Sequence, residues 1–107
     1  MSGIVTVYAT FAGAAEAERI GRAMVEERLA ACVNILGPCR SIYRWHGAIE
    51  EAEEVAALFK TRAEIAERLT ARIAALHSYD VPAAIVWPIA AALPAYARWV
   101  VAEASAG

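Results

Sequence analysis

The hydrophobic pattern of the first part of the chain predicts a strand, a helix and a second strand. β-branched residues dominate Ile4–Ala9, which favours an extended conformation. Over residues 14–29 apolar positions recur every three or four residues, with charged positions between them, as in an amphipathic helix. Residues 32–36 form an apolar run typical of a strand, and Gly37-Pro38 then predicts a kink or bulge. Strand structure is expected to resume over Ser41–Trp45.

The stretch that follows predicts a tight turn, but leaves the element after it open. Tyr43 and Trp45 lie two residues apart, which places both rings on one face of an extended chain, and His46-Gly47 is the expected turn. The glutamates and alanines of residues 48–59 favour a helix by propensity. Their apolar positions favour a strand paired with the preceding one, because these share one parity: Ile49, Val55, Ala57 and Phe59.

The second half of the chain predicts a helix, a strand and a last helix. Thr61-Arg62-Ala63-Glu64 has the sequence of a capping box, and the apolar spacing continues a helix from Arg62 to Leu76. Ala84–Ile89 is typical of a strand, and Pro88 places it at an edge or at a strand end. A final helix is expected to begin at Leu93-Pro94.

In this final helix Tyr96, Trp99 and Val100 are expected to face inward, and residues 105–107 are expected to be frayed. The order of elements is then β-α-β-β-α-β followed by a helix. With residues 48–59 taken as strand, this order predicts an α+β fold, a ferredoxin-like sandwich with an antiparallel sheet and helices on one face, formed as a single domain over residues 1–107.

Composition narrows the classes of partner. Of the 107 residues 60% are apolar and 21% are charged, which is typical of a folded globular protein. The net charge of −2, with scattered basic residues, gives no reason to expect nucleic acid or an anionic membrane as a partner. No apolar run reaches the roughly 18 residues of a membrane helix. The first basic residue is Arg19, so the positive start of a signal peptide is missing, and we expect a cytoplasmic protein.

Two groups of reactive residues have ordinary interpretations. Cys32 and Cys39 have neither a zinc spacing nor a redox C-x-x-C spacing, so we expect free thiols, with Cys32 buried in its strand. The acidic run of Glu50, Glu51, Glu53 and Glu54 is expected to be a solvated strand face, with acid–base work by paired carboxylates as the alternative. The sequence contains no glycine-rich phosphate-binding motif and no legible Ser-His-Asp set, so no catalytic residue is predicted.

Five stretches of the chain carry a resemblance to a known family. They are residues 27–35 (ERLAACVNI), residues 41–50 (SIYRWHGAIE), Glu54-Val55 with Lys60-Thr61, His77-x-Tyr79-x-x-Pro82, and Trp87-Pro88-Ile89. In this order and spacing they resemble the divalent-cation tolerance protein family CutA. The resemblance implies homotrimers of ferredoxin-like subunits whose long hairpins cross between neighbours, and a strand over residues 48–59. It also implies a link to copper and other divalent metals, and a likeness to the PII signalling trimers.

Strand length favours a trimer independently of the resemblance. A strand from Ile49 to Lys60 would be roughly 40 Å long at about 3.3 Å per residue. A globule of this chain length is roughly 35 Å across, so the hairpin is expected to extend beyond its own domain. An overhanging strand is a template for pairing, and a closed oligomer satisfies it. We therefore expect Tyr43 and Trp45 to pack against a neighbouring subunit.

The resemblance also implies where a metal would bind. The family's proposed site uses a cysteine late in the first strand and a histidine before the tyrosine loop. Here Ala9 and Leu76 stand at those places, and Ala83 replaces a glutamate that many relatives carry. His77 is therefore the one candidate metal ligand, for Cu²⁺ or another divalent cation. Its alternative role is to anchor the loop by hydrogen bonds to the backbone.

We also expect a ligand-binding cleft that is shared between subunits. Its candidate residues combine carboxylates, aromatic rings and one amine: Tyr43, Trp45, Glu50, Glu54, Lys60 and Tyr79. Together with the His77 imidazole, the Lys60 amine would suit a small anionic ligand. The alternative is that these side chains hold the subunits together. Three functions therefore remain open: a metal-binding or PII-like signalling module, a structural trimeric scaffold, and, by analogy of fold only, a phosphoester hydrolase.

Overall fold

A computed structural model describes residues 2–107, and it confirms the α+β fold. The elements follow one another as β1 (Ile4–Phe11), α1 (Ala14–Glu26), β2 (Cys32–Trp45), β3 (Ala48–Arg62), α2 (Ala66–Leu76), β4 (Ala84–Pro88) and α3 (Pro94–Glu103). The four strands form one antiparallel sheet in the order β2-β3-β1-β4. This is the β-α-β-β-α-β order of a ferredoxin-like fold with an added C-terminal helix.

One face of the sheet packs against α1 and α2. Alternate residues of β1 and β3 point to this side, and they are fully or almost fully buried: Val7, Ala9, Phe11, Val55, Ala57 and Phe59. Ile20 and Met24 of α1, with Leu69 and Ile73 of α2, complete the main core. These two helices leave the opposite face of the sheet uncovered except at its Ile4 end, where α3 packs, so the remaining side chains of that face are available to form a site.

The structure resolves residues 48–59 as strand, as the parity of the apolar positions and the family resemblance both indicated. Val55–Arg62 pair with β1, and the register buries the β3 residues of odd number against the helices. Burial of these side chains outweighs the helix propensity of the glutamates and alanines, which is worth only a few tenths of a kcal/mol per residue. On the N-terminal side of Val55, β3 pairs with β2 alone, so residues 38–54 form a two-stranded arm.

Glycine conformations shape this arm at both ends. At its base the pairing shifts register between Ile35 and Gly37, where Gly37 has φ 97°, which confirms the predicted bulge. At its tip His46 and Gly47 have φ 49° and 81°, and two residues with positive φ are typical of a type I′ turn. Because the bulge inserts one residue, Tyr43 lies on the face of the sheet opposite to the helices.

Two helix boundaries differ from the sequence prediction. Helix α1 ends at Glu26 rather than at residue 29, because Arg28 at φ 59° reverses the chain. The capping box prediction was wrong: the Thr61 hydroxyl donates to the Leu29 carbonyl oxygen at 2.7 Å and does not cap a helix. Helix α2 begins only at Ala66, after a single 3₁₀ turn.

The C-terminal region also corrects two expectations. Val100 is fully buried in a second, smaller cluster with Ile4 and Ile65, but Trp99 is 44% exposed rather than inward-facing, because α3 buries only one narrow stripe. The tail after α3 is not frayed, because the Ala106 amide donates to the Arg28 carbonyl oxygen at 3.0 Å. No helix within residues 2–107 is both long and apolar enough to cross a membrane.

Candidate functional site

A cavity of about 590 Å³ opens on the face of the sheet that α1 and α2 leave free. It lies between the arm, β1 and the loop that joins α2 to β4. Its lining combines hydroxyl, aromatic and charged residues: Tyr8, Thr10, Ser41, Tyr43, Arg44, Trp45, Glu50, Glu54, Tyr79, Asp80, Val81 and Ala83. A cavity of this size is sufficient for a small organic molecule.

Glu54 is the buried acidic group of this cavity. It is only 9% exposed, and it accepts hydrogen bonds from the Ser41 hydroxyl at 2.6 Å and from the Tyr79 hydroxyl at 2.9 Å. The two hydroxyls come from different elements, since Ser41 is on β2 and Tyr79 is in the loop after α2. The carboxylate therefore ties that loop to the base of the arm, and its orientation is fixed before any ligand enters.

Two tyrosines of this cavity, Tyr79 and Tyr8, have a raised pKa. Burial, together with the hydrogen bond to Glu54 and the nearby negative charge, raises the pKa of Tyr79 to about 12. Burial also raises the pKa of Tyr8, with smaller contributions from Cys39 and Glu54. The Tyr8 ring stacks on Trp87 of β4, with ring centroids 4.9 Å apart. Tyr8 is thus held as part of the cavity wall.

Tyr43 and Trp45 form the outer part of the cavity. They remain 39% and 40% exposed, so each ring keeps much of its surface free. Tyr43 lies opposite Glu50 in the β2–β3 register, which places this carboxylate beside the aromatic pair. Within residues 2–107 Glu50 has neither a hydrogen-bond partner nor an ion-pair partner among the side chains. Glu51, on the other face of β3, is instead paired with Arg40 at 2.7 Å.

His77 anchors the loop after α2. Its Nδ1 accepts a hydrogen bond from the Tyr79 amide at 3.1 Å, so the proton of the neutral ring lies on Nε2, which donates to the Thr10 carbonyl oxygen at 2.8 Å. The ring also stacks on Phe11, with centroids 5.0 Å apart. Both nitrogens are therefore engaged by the backbone, which is the alternative role stated above for this residue.

Glu16 of α1 supports the same loop. It accepts hydrogen bonds from the Ser78 amide at 2.8 Å and from the Ala12 amide at 3.2 Å. Burial by itself would raise the pKa of Glu16, but these hydrogen bonds outweigh it, and the pKa lies below its ordinary value. The loop from His77 to Tyr79 is thus fixed to α1, β1 and the arm.

The structure brings together five of the six predicted cleft residues but not the sixth. Tyr43, Trp45, Glu50, Glu54 and Tyr79 line the cavity, whereas the Lys60 amine does not and donates to the Asn34 side-chain oxygen at 2.6 Å. Lys60 is at the opposite end of β3, next to Cys32 in the register. The expectation of an anionic ligand depended on the Lys60 amine, and in this chain that amine is separate from the cavity.

The lining contains residues that the sequence analysis missed. Tyr8, Thr10 and Ser41 point into the cavity, and Asp80 adds a third carboxylate to those of Glu50 and Glu54. The alternating pattern of β1 could have placed Tyr8 and Thr10 on one face, but only the sheet order shows that this face meets the arm. With Arg44 as the one basic residue of the lining, the cavity is net acidic.

The two cysteines have the same degree of burial. Both Cys32 and Cys39 are free and half-buried, so the prediction of a buried Cys32 was wrong. The Cys32 sulfur lies 3.5 Å from the Tyr96 hydroxyl. Burial and this contact raise the pKa of Tyr96 to about 12. Within residues 2–107, no three His, Cys, Asp or Glu side chains converge in the way a metal ion requires.

The fold and this cavity define the class of protein: a ferredoxin-like α+β domain with a cleft at the base of a two-stranded arm. Residues 5–103 match the family model described as CutA1 divalent ion tolerance protein, and the chain belongs to this family. It is 41% identical over 100 residues to the divalent-cation tolerance protein CutA of Pyrococcus horikoshii, a match that covers 94% of this chain and 97% of that one.

Other relatives extend the comparison. Mouse protein CutA is 43% identical over 84 residues, or 78% of this chain, but the chain spans only 48% of the mouse protein. The crystal structure of CutA from Xylella fastidiosa matches with a TM-score of 0.93 and 38% identity, over 96% of this chain and 99% of that one. The divalent cation tolerance protein of Thermus thermophilus matches with a TM-score of 0.90 and 40% identity, over 94% and 97% of the two chains.

Proposed function

We propose that this chain is a single-domain subunit of a cytoplasmic homotrimer that binds a cation and contributes to tolerance of divalent metal ions, copper among them. We infer a binding protein rather than an enzyme. The observation that carries the proposal is the acidic cavity, in which Glu54 is held by two hydroxyls while Glu50 has no partner among the described side chains. Its excess of carboxylates favours a cation over the small anion that the sequence suggested.

Exposed apolar surface supports the trimer. Leu36, Ile42 and Ile49 are each at least 60% exposed, and the last two belong to an arm that pairs with no third strand within the described chain. An isolated two-stranded hairpin is only marginally stable in water. The outer edge of β2 also offers unpaired backbone groups to another chain. A closed ring of three copies would cover the arms and would place each cavity beside a neighbouring subunit.

A divalent metal would need donors from more than one element or subunit. Both nitrogens of His77 are engaged by the backbone, so a metal at His77 would have to displace one of these hydrogen bonds. Glu50 and Asp80 are the exposed carboxylates of the cavity. Carboxylate oxygens suit hard cations, and Cu²⁺ binds most donor sets more tightly than other divalent first-row ions do.

Sedimentation and calorimetry test this proposal together. We expect a trimer at micromolar concentration and heat on titration with Cu²⁺ or Zn²⁺ that is reduced in Glu50→Gln. Glu51→Gln is the matched control, because it removes the same charge from the other face of the same strand. A folded monomer, or metal binding that both variants reduce equally, would contradict the proposal.

A structural trimer without a ligand is the second candidate, favoured by the partly exposed rings of Tyr43 and Trp45 on the arm. In that case the rings serve assembly only. Tyr43→Leu would then shift the monomer–trimer equilibrium, and no metal ion or small molecule would raise the midpoint of thermal unfolding. A ligand-dependent rise in that midpoint, in turn, favours the binding role, including PII-like signalling.

A further inference from the structure

The loop that joins α2 to β4 carries two residues of the candidate site, Tyr79 and Asp80. We propose that Glu16 of α1, which lies outside the cavity, is a positioning residue for this site, because it holds the loop where the Tyr79 hydroxyl meets Glu54. This inference rests on the proposed function, since it takes the cavity as the binding site. The contacts that carry it lie within one chain and do not depend on a surface that a neighbouring subunit would cover.

This loop has little backbone support of its own. It contains no helix or strand between Leu76 and Ala84. Within residues 2–107 it takes part in one backbone–backbone hydrogen bond, from the His77 amide to the Ala74 carbonyl oxygen at the end of α2. Segments with few such bonds open at a low cost in free energy. Side-chain contacts therefore decide where the loop lies.

Three successive residues attach the loop, each to a different element. The His77 ring is hydrogen-bonded to the backbone of β1. The Ser78 amide donates to Glu16 Oε2 at 2.8 Å, which attaches the loop to α1. The Tyr79 hydroxyl donates to Glu54 of the arm at 2.9 Å. The attachment to α1 is thus the middle one of the three, and it comes from the side of the sheet opposite to the cavity.

A second contact makes Glu16 a rigid support. Its Oε1 accepts a hydrogen bond from the Ala12 amide at 3.2 Å, so one carboxylate joins the turn between β1 and α1 to the loop. Its side chain is only 10% exposed. Hydrogen bonds to a carboxylate are about twice as strong as those between neutral groups. A glutamine at this place could accept only one of the two, because its side-chain nitrogen is a donor.

The position of the loop matters to the site in two ways. Tyr79 supplies one of the two hydroxyls that orient the Glu54 carboxylate. Asp80 follows directly and is one of the exposed carboxylates of the cavity, together with Glu50. A loop that leaves α1 would therefore move one carboxylate and release another. Residues that orient the ligands of a metal ion commonly change its affinity without touching it.

Nuclear magnetic resonance of the whole protein tests this inference, with Glu16→Gln as the variant. The signal of the Glu54 carboxyl carbon should move in the same direction as in Tyr79→Phe, which removes the hydrogen bond directly. The Tyr79 amide should exchange its hydrogen at least about tenfold faster, because a hydrogen bond to a charged group is lost next to it. Calorimetry should show at least about twofold weaker binding of Cu²⁺.

Glu18→Gln is the matched control. It removes the same charge from the same helix, but Glu18 is exposed and has no side-chain partner within residues 2–107. It should change none of the three measurements. A further check is the Tyr79→Phe background, in which Glu16→Gln should cause no additional movement of the Glu54 signal, because Glu16 acts through Tyr79.

The outcomes separate this inference from the proposed function. An unmoved Glu54 signal in Glu16→Gln, or an equal movement in Glu18→Gln, overturns the inference. Unchanged Cu²⁺ affinity in Glu16→Gln overturns it as well and leaves the proposed function intact. If the unmodified chain binds no metal ion, the proposed function is contradicted, and the Glu54 signal alone decides the inference. A Ser78 amide that exchanges without protection in the unmodified chain overturns it regardless of how any variant folds.

Discussion

The hydrogen bond from Tyr79 to Glu54 gives the sharpest test of how the site is built. Replacing Tyr79 by Phe keeps the ring but removes the hydroxyl that donates to the Glu54 carboxylate at 2.9 Å. Hydrogen bonds to charged groups contribute about 1.5–3 kcal/mol. Tyr79 is half-buried, so the lower end applies, and we expect Tyr79→Phe to lower the free energy of unfolding by about 1.5 kcal/mol.

Urea unfolding measures this loss. The protein concentration is kept fixed, because the stability of an oligomer depends on its concentration. Tyr43→Phe is the matched control. Its hydroxyl has no side-chain partner within residues 2–107, so the change should stay within about 0.5 kcal/mol. A double-mutant cycle of Tyr79→Phe with Glu54→Gln should give a coupling energy of about 1 kcal/mol. The reasoning is refuted if the two Tyr→Phe variants are equally stable or if the coupling is zero.

The same hydrogen bond predicts a loss of stability in alkali. The pKa of Tyr79 is raised from 10.0 to about 12 in the folded chain, so folding favours its protonated form. The stabilisation is complete below the unfolded value and is lost as the pH rises from 10 through about 12. The difference in unfolding free energy between the unmodified chain and Tyr79→Phe should therefore shrink over this interval. A difference that stays constant would contradict the assignment.

Three further predictions concern the scaffold. Gly47→Ala should cost about 1 kcal/mol in urea unfolding, because the turn holds this residue at φ 81°; an unchanged midpoint would contradict this. Gly21→Ala should destabilise by about 1 kcal/mol, because the new Cβ would lie 3.0 Å from Val33 Cγ1, and the same change should become stabilising in a Val33→Ala background. Glu16→Gln should flatten the loss of thermal stability on acidification. The pKa of Glu16 is lowered in the folded chain, so its carboxylate stabilises the fold above its ordinary pKa, and this stabilisation is lost as the pH falls through the folded value. Parallel stability profiles of the two proteins would refute this.

Much of the fold could be predicted from residue patterns. The period-two pattern of Ile4–Ala9, the apolar spacing of α1 and α2, and the turn at His46-Gly47 each depend on side chains close together in sequence. Such signals decide local conformation, because each residue's backbone preference and the burial of one face act within a few residues. Residues 48–59 were the exception, since propensity and parity indicated different elements.

The site could be predicted only in part, because its composition depends on contacts between segments that are far apart in sequence. Tyr43, Trp45, Glu50, Glu54 and Tyr79 were named in advance, but mainly through the family resemblance. The position of Lys60 and the part played by Tyr8 depend on the register of strands far apart in sequence. The failed capping box at Thr61 shows the same limit, because its hydroxyl finds a better partner in the distant Leu29 carbonyl.

The sequence by itself determined where most strands and helices form, that the arm is long, and that its tip turns on two residues. Tertiary structure alone decided that Tyr43, Glu50 and Glu54 of the arm share a face with Tyr8, because the strand order and the bulge at Gly37 set which side chains meet. It also decided the sign of the cavity's charge, since Lys60 is directed to Asn34 while three carboxylates line one space. Local patterns encode conformation, whereas charge balance in a site depends on contacts between distant segments.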